Sequence, residues 1–168
     1  SEIAITDVDG VTLDATSLPA GLTISGGGIN RMFRISNGAN VTLRSLTLSG
    51  GNINHPDSGG AIYNINSTLT LERCTFVSNT ASATFGGALH NIGNGNHTVT
   101  ITRCTFTGNS AIYGGAISCD GGPMQLNHCT IAGNSAITVA GTGGGIYNIN
   151  GSIQVNNTIV ANNTAPLF

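Results

Sequence analysis

An internal repeat constrains this chain more than any other feature of its sequence. The segment Gly-Gly-Ala-Ile-Tyr-Asn begins at Gly59 and returns, with small changes, at Gly86, Gly114 and Gly143, in steps of 27, 28 and 29 residues. Repeats of this length are typical of solenoids, in which each copy buries its apolar face only against the next copy. The sequence therefore predicts a stack of similar units.

A second block repeats with a fixed internal length. Its copies are residues 71–79, 101–109, 126–134 and 155–163, with a degenerate copy at 43–51. Each full copy ends on Asn, eight positions after its first residue, whereas the links that follow the first three copies contain six, four and eight residues. Constant segments joined by variable links are typical of strands and surface loops.

The constant segments are short, rich in Thr, Ile, Val and Phe, and alternate with period two, which indicates β-strands. A period of about 28 residues with three short strands fits one coil of a parallel β-helix. We expect an all-β fold of about six coils of roughly 25–30 residues each. The whole chain, 1–168, is expected to be one domain, with irregular coils at 1–39, regular repeats at 40–163 and a terminal segment at 164–168.

Stacking the copies predicts columns of like residues. One inward column is a core ladder that contains Leu46, Cys74, Cys104, Cys129 and Thr158. A second column is an Asn ladder at a turn, where Asn adopts left-handed backbone geometry and bonds to neighbouring backbone, and it contains Asn79, Asn109, Asn134 and Asn163.

The cysteines are expected to be free, buried thiols, because three of the four lie in the core ladder. A bridge from Cys104 to Cys74 or to Cys129 is the alternative, although stacked strands are a poor geometry for a disulfide. Structural zinc needs tightly spaced ligand pairs, and the side chain of His128 is expected on the face opposite to Cys129. We therefore predict no metal site.

Composition excludes several classes of partner. Charged residues make up 7% of the chain, with five Arg and no Lys, and the net charge is −2. Such a surface offers no field for nucleic acid or an anionic membrane. No apolar run reaches the roughly 20 residues of a membrane span. We expect an exported protein, outside the cell or on its surface, wetted by Ser, Thr, Asn and Gly.

The acidic side chains give no sign of catalysis. The chain has seven of them, and no two copies of the repeat carry acids at matching positions. Glycan cleavage needs clustered carboxylates, so we predict no enzyme, no catalytic residue and no cofactor. The two repeat tyrosines, Tyr63 and Tyr147, are expected to be too far apart for a stacking platform.

One polar column remains as a candidate ligand face, formed by Arg73, Arg103 and His128. A line of Arg and His suits an acidic glycan. The alternative is an ordinary solvated face, with one salt bridge between Arg44 and Glu72 that contributes little to stability.

The alternation of Gly-Gly-Ala-Ile with Phe-x-x-Asn, as in 76–79 and 106–109, resembles the repeat of polymorphic outer-membrane-protein passengers, and more broadly bacterial right-handed β-helix adhesins and autotransporter passengers. The resemblance covers residues 40–163, although Ile131 and Val160 stand at the Phe position. It implies a right-handed parallel β-helix used for adhesion and display, with glycan or a cell surface as a partner.

The end coils carry the sharper functional prediction. A solenoid exposes strand edges at both ends unless they are covered, and we expect apolar residues there, namely Ile3, Ile5, Leu167 and Phe168. Head-to-tail stacking of copies would build a filament. The sequence thus leaves three hypotheses: a self-associating structural module, a monomeric adhesin, and a polysaccharide lyase or hydrolase.

Overall fold

The computed structural model describes residues 1–54, 57–138 and 142–166, and it is a parallel β-solenoid. The chain winds through six coils, and every strand pairs in parallel with its counterpart in the next coil. No helix occurs in the described ranges, so none there is long and apolar enough to cross a membrane. The predicted all-β class and the number of coils are confirmed.

Three sheets run the full length of the stack, one strand per coil. Sheet A contains β1 (Ile3–Ile5), β4 (Phe33–Ile35), β8 (Ile62–Ile65), β12 (Leu89–Ile92), β16 (Ile117–Asp120) and β20 (Ile146–Asn148). Sheet B contains β2 (Val11–Asp14), β5 (Asn40–Arg44), β9 (Thr68–Glu72), β13 (Val99–Thr102), β17 (Pro123–Asn127) and β21 (Ser152–Asn156). Sheet C contains β3 (Leu22–Ser25), β6 (Leu46–Ser49), β10 (Thr75–Val77), β14 (Thr105–Thr107), β18 (Thr130–Ala132) and β22 (Ile159–Ala161).

A fourth sheet, D, covers four of the coils. It contains β7 (Asn52–Ile53), β11 (Thr80–Phe85), β15 (Ser110–Tyr113) and β19 (Ser135–Ala136). The sequence predicted three strands per coil and treated these segments as loops, and that detail is wrong. The first residues after the Asn ladder continue the stack, because Ala81, Ala111 and Ala136 turn inward and are buried. Only the ends of these links vary in length.

The core is a set of columns that run along the axis inside the coils. Inward residues of sheets A, B and C are almost fully buried in coils 2 to 5, as are Phe76 and Phe106. Leu46, Cys74, Cys104 and Cys129 are each 2% exposed or less, and Thr158 in coil 6 is half-buried. Each apolar side chain thus packs on its counterpart one coil away, which is how a repeat protein builds a continuous core.

The turn from sheet C to sheet D is held by buried amides. In the Asn ladder, Asn79 Nδ2 donates to Asn109 Oδ1 at 3.0 Å, Asn109 Nδ2 to Asn134 Oδ1 at 2.9 Å, and Asn134 Nδ2 to Asn163 Oδ1 at 2.9 Å. Each amide also donates to a backbone carbonyl in the preceding coil, as Asn109 does to Phe76 at 3.0 Å. These bonds satisfy polar groups that would otherwise be buried without a partner.

The turn from sheet D to sheet A requires a pair of glycines because it leaves no space for a side chain. At Gly87, a Cβ would collide with the carbonyl oxygen of Gly115 in the next coil. The residue before it, Gly86, has φ of 65°, a left-handed conformation that glycine adopts without strain. The repeated Gly-Gly motif therefore marks a place where a side chain would collide with the backbone of the next coil.

Candidate functional site

Arg31 holds a charged cluster together beside the outer face of sheet A, near the first coil. Only 2% of this residue is exposed. Its Nε donates to Glu2 Oε2 at 2.7 Å, its Nη1 to the carbonyl oxygen of Ser58 at 2.6 Å, and its Nη2 to Asp57 Oδ2 at 3.1 Å. Arg34 Nη1 lies 3.5 Å from the same Asp57 oxygen. The cluster fastens coil 1 to the segment that ends coil 2.

A cavity of about 270 Å³ lies beside this cluster, lined by Glu2, Asn30, Arg31, Ile53 and Asp57. The sequence predicted no carboxylate pair from matching positions of the repeat; Glu2 and Asp57, which lie outside the repeated segments, nevertheless share one guanidinium. Residues 1–39 follow the repeat only by strand rhythm, so spacing could not reveal this pair. Arg31 and Arg34 together balance the charges of the two carboxylates, which suits a structural ion-pair cluster better than a general acid and base.

Aromatic side chains form a cluster on the outer face of sheet A. Tyr63 stacks on His90 at 5.4 Å between ring centroids, and His90 on Phe85 at 5.3 Å. Phe85 contacts Tyr113 at 5.0 Å, and Tyr113 contacts Tyr147 at 5.2 Å. The sequence predicted that Tyr63 and Tyr147 stand too far apart for a stacking platform, and the structure adds that Phe85, His90 and Tyr113 lie between them in one connected cluster. Because Phe85 and Tyr113 each precede a Gly-Gly pair, the signal was present in the repeat.

The faces of these rings are largely occupied by one another. Interplanar angles between neighbouring rings in the cluster lie between 15° and 30°. The guanidinium carbons of Arg31 and Arg34 lie 5.2 and 5.6 Å from the centroid of Tyr63. Sugar rings stack on exposed aromatic faces, so this cluster is better suited to packing the coils than to a carbohydrate platform.

Two polar atoms are buried at the aromatic cluster, one in His90 itself and one in Ser118. His90 is 2% exposed and Ser118, its register partner in coil 5, is fully buried. His90 Nδ1 and Ser118 Oγ have no hydrogen-bond partner among the described residues. Burial lowers the pKa of His90 from 6.5 to about 4, against a smaller opposing effect from Asp120. His90 is therefore neutral at physiological pH.

The candidate ligand face lies at the corner between sheets B and C. Arg73, Arg103 and His128 have φ of 54°, 55° and 56° and are exposed in successive coils. Backbone bonds hold the corner in register, as Arg73 N donates to the carbonyl oxygen of Thr102 at 3.0 Å. The Arg73 guanidinium lies 3.1 Å from Glu72, which also accepts from Arg44 Nε at 3.1 Å. The structure thus brings these three residues into one column.

The cysteines are free thiols in the described part of the chain. Cys74 N donates to Cys104 Sγ at 3.3 Å, so the two side chains lie one above the other. Contact with Cys74 and burial both raise the pKa of Cys104, and burial raises the pKa of Cys119 and Cys129. The three thiols with a raised pKa are poor nucleophiles, and all four cysteines are buried in the core.

The core columns lose their cover at the two end coils. Ile3 is 52% exposed although its register partner Phe33 is 2% exposed, and Val160 is 49% exposed although its partner Ile131 is fully buried. Ile5 is 9% exposed. Leu167 and Phe168, which were predicted to be exposed apolar residues at the other end of the stack, lie outside the described residues.

Within residues 1–54, 57–138 and 142–166, no group of three His, Cys, Asp or Glu side chains is arranged to hold a metal ion. The Asp7–Gly10 segment is a tight turn, in which Asp9 N donates to Asp7 Oδ1 at 2.9 Å. Asp and Gly are both common turn residues.

Comparison with known proteins gives the family. The sequence profile described as a right handed beta helix region matches residues 7–165. The chain belongs to the right-handed β-helix family. No curated protein and no solved structure matches it. The right-handed β-helix is shared by enzymes, pectate lyases and glycosidases among them, and by proteins without enzymatic activity. The family therefore gives the fold and leaves the activity open, and the narrower resemblance to outer-membrane-protein passengers stays a prediction.

Proposed function

We propose that this β-helix is a non-enzymatic extracellular scaffold whose copies associate head to tail through their end coils. The observation that carries the proposal is the exposure of inward-facing residues of the core columns at both ends. Val155 is 48% exposed although its partner Leu126 is fully buried, and Ile3 and Val160 follow the same pattern. Covering these residues with another coil would stabilise the stack by about 25 cal/mol for each Å² of apolar surface removed from water.

The edges of the end coils are suited to this association. Strands β1, β2 and β3 on one side, and β20, β21 and β22 on the other, each have one edge with no strand partner among the described residues. Such edges are templates for further strand pairing. A head-to-tail contact between two different surfaces propagates into an open filament unless it closes into a ring.

The arrangement of charges supports a role other than catalysis. Glu2 and Asp57 are paired with Arg31, and Asp14 and Glu72 are paired with Arg44. Hydrolases and lyases of polysaccharides need carboxylates that are free to exchange protons with substrate. The carboxylates that lie close together here are instead bound to guanidinium groups.

The test compares two neighbouring residues of β22. Val160→Arg places a charge at an exposed inward-facing position of the core, whereas Ile159→Arg alters an outward side chain that is 61% exposed. We expect the sedimentation coefficient of the unaltered protein and of Ile159→Arg to rise with concentration. Val160→Arg should stay monomeric, because burying an unpaired guanidinium is costly. Ile3→Arg at the opposite end should act in the same way, since a head-to-tail contact needs both surfaces.

A second candidate, a monomeric adhesin that binds acidic glycan, is favoured by the exposed column at Arg73, Arg103 and His128. Arg103 makes no ion pair with any described residue, so its guanidinium is free for a carboxylate or sulfate. A strictly monomeric protein at every concentration in the sedimentation experiment would overturn the stacking proposal and leave this candidate as the better account.

A further inference from the structure

Three Asn-Gly pairs lie in the turns where the chain passes from sheet A to sheet B. They are residues 37–38 in coil 2, residues 94–95 in coil 4 and residues 150–151 in coil 6. Asparagine is a chemically labile residue, and a following glycine has no side chain to shield its backbone nitrogen from the asparagine side chain. The reacting atoms are the same in all three pairs, so their surroundings in the fold determine which pair reacts.

The loss of an asparagine amide begins at the backbone nitrogen of the next residue. That nitrogen attacks the side-chain carbonyl carbon Cγ, a succinimide ring closes, and ammonia leaves with the amide nitrogen and the proton of the attacking N–H. Water then opens the ring at either carbonyl, which gives aspartate, or isoaspartate with the chain running through Cγ. A glycine N–H that donates a hydrogen bond must first give up that bond.

The pair in coil 2 is held by the next coil. Gly38 N donates to the carbonyl oxygen of Asn66 at 3.1 Å. Asn37 and Gly38 have φ of 63° and 75°, so two consecutive residues are fixed in the left-handed region of a tight turn. The nitrogen of Gly38 would have to leave the hydrogen bonds of the stack before it could reach Cγ of Asn37.

The pair in coil 6 is held within its own turn and by coil 5. Gly151 N donates to Asn148 Oδ1 at 3.1 Å, and Asn148 Nδ2 donates back to the carbonyl oxygen of Gly151 at 2.9 Å. The amide nitrogen of Asn150, which would be the leaving group, donates to Asp120 Oδ1 at 3.0 Å. Both the attacking nitrogen and the leaving group are therefore engaged.

The pair in coil 4 has neither restraint. Its turn, residues 93–98, is the longest of the six turns between sheets A and B. Asn94 and Gly95 are both exposed, and a Cβ on Gly95 would meet no atom beyond its chain neighbours. In the described part of the chain, no hydrogen bond engages the backbone nitrogen of Gly95. That nitrogen is therefore free to attack.

The side chain of Asn94 is also placed for the reaction. Its Oδ1 accepts a hydrogen bond from the backbone nitrogen of Asn96 at 3.2 Å. This bond folds the side chain back over the peptide that joins Asn94 to Gly95, and it polarises the carbonyl group that the nitrogen attacks. Nδ2 of Asn94 makes no hydrogen bond to any residue that the structure describes, so the leaving group is not held.

We propose that Asn94 is a site of spontaneous modification, at which ring closure with Gly95 converts the turn to aspartate or isoaspartate, whereas the fold protects Asn37 and Asn150. Water is the only co-reactant. The product adds one negative charge to a chain of net charge −2, on a turn that lies outside the core columns. The converted fraction grows with the age of the molecule. The site is lateral, so the proposal does not depend on association through the end coils.

The experiment incubates the whole folded chain at mildly alkaline pH and follows all three pairs by peptide mapping with mass spectrometry. Labelling with an isoaspartyl methyltransferase identifies isoaspartate. We expect Asn94 to convert first, and Asn37 and Asn150 to convert about tenfold more slowly, because a hydrogen bond must open before either glycine nitrogen can attack. Conversion of Asn37 or Asn150 as fast as that of Asn94 would overturn the proposal, as would an Asn94 that stays intact.

The matched control is the same chain unfolded in guanidinium chloride. Without the fold, the three pairs should convert at similar rates, and the advantage of Asn94 should largely disappear. If the advantage persists unchanged in the unfolded chain, flanking residues set the selectivity and the proposal is overturned.

A pair of variants tests whether the stack tolerates the product. Asn94→Asp should unfold at the same urea concentration as the unaltered protein, because its turn contacts no core column. Asn150→Asp should unfold at a lower concentration, because it replaces the donor to Asp120 with a second carboxylate. A loss of stability in Asn94→Asp as large as that in Asn150→Asp would contradict a modification that leaves the fold intact.

Discussion

At the scale of single residues, His90 shows how the repeat can place a polar side chain in an apolar setting. Its position follows from the Gly-Gly-Ala-Leu-His-Asn copy, and the alternation of the strand predicts that it faces outward. The sequence could not show that it would be covered, because Phe85 reaches it from across the Gly86–Gly87 turn. Burial of an outward residue depends on a neighbouring element, which periodicity alone does not reveal.

The buried imidazole predicts a stability that falls in mild acid. Its pKa is about 4 in the folded chain against 6.5 in a model compound, so the unfolded chain binds the proton more readily. The stability that depends on neutral His90 is present above about pH 6.5 and is lost as the pH falls towards 4, a change of about 3 kcal/mol.

His90→Phe should remove much of this dependence, because Phe keeps an aromatic ring in the cluster and cannot be protonated. Urea unfolding at about pH 7.5 and about pH 4.5 measures the effect. The control is His128→Phe, which alters an exposed ring at the corner and should leave the pH dependence of the unaltered protein in place. This assignment would be refuted if the unfolding free energy changed with pH as much in His90→Phe as in the unaltered protein.

At the scale of elements, the constant block could be predicted from the sequence because each of its two turns has the same structural requirement in every coil. The corner residue before each sheet C strand adopts positive φ, and the Asn that follows each strand bonds to the next coil. Sheet D was missed because the lengths of its strands range from 2 to 6 residues and the strands merge into links of variable length. Its strands pair because the Asn ladder fixes the distance between neighbouring coils at this point. Their sequences therefore carry no alternation of apolar and polar residues that could be detected.

The Asn ladder predicts that the loss of unfolding free energy caused by an Asn→Ala substitution depends strongly on the coil in which it is made. Asn109→Ala removes the bond to Phe76, the bond to Asn134 and the acceptor for Asn79 N and Nδ2, all in the interior. Unfolding free energy should fall by about 3 kcal/mol, because buried partners are left unsatisfied. Asn163→Ala in coil 6 should cost only about 1 kcal/mol, since the ladder ends there and water reaches its half-buried position. Equal losses in urea denaturation would contradict the ladder as a cooperative element.

At the scale of the whole molecule, each coil depends on its neighbours alone. The number of coils was predictable because repeats fix it, and the course of coil 1 was not, because 1–39 lacks a clear copy. Even so, β1, β2 and β3 pair in register with coil 2. Stability in such an array is a sum of coils and the interfaces between them.

This architecture predicts graded protection from hydrogen exchange. Amides of coils 3 to 5, whose core columns are covered on both sides, should exchange most slowly. Those of β21 and β22 should exchange fastest among the strands, because Val155 and Val160 are open to water. Exchange followed by mass spectrometry at low protein concentration measures the gradient, and uniform protection along the stack would contradict it.

The variable links on one side of the coils and the constant block on the other have a genetic consequence. Neighbouring copies are similar in sequence and equivalent in geometry, so recombination between two copies of the gene segment would add or remove one whole turn of the rod. The joined chain would still close its coil, because every register is set locally by the same turns. Recombination can thus lengthen or shorten the rod by one coil at a time while the fold stays the same.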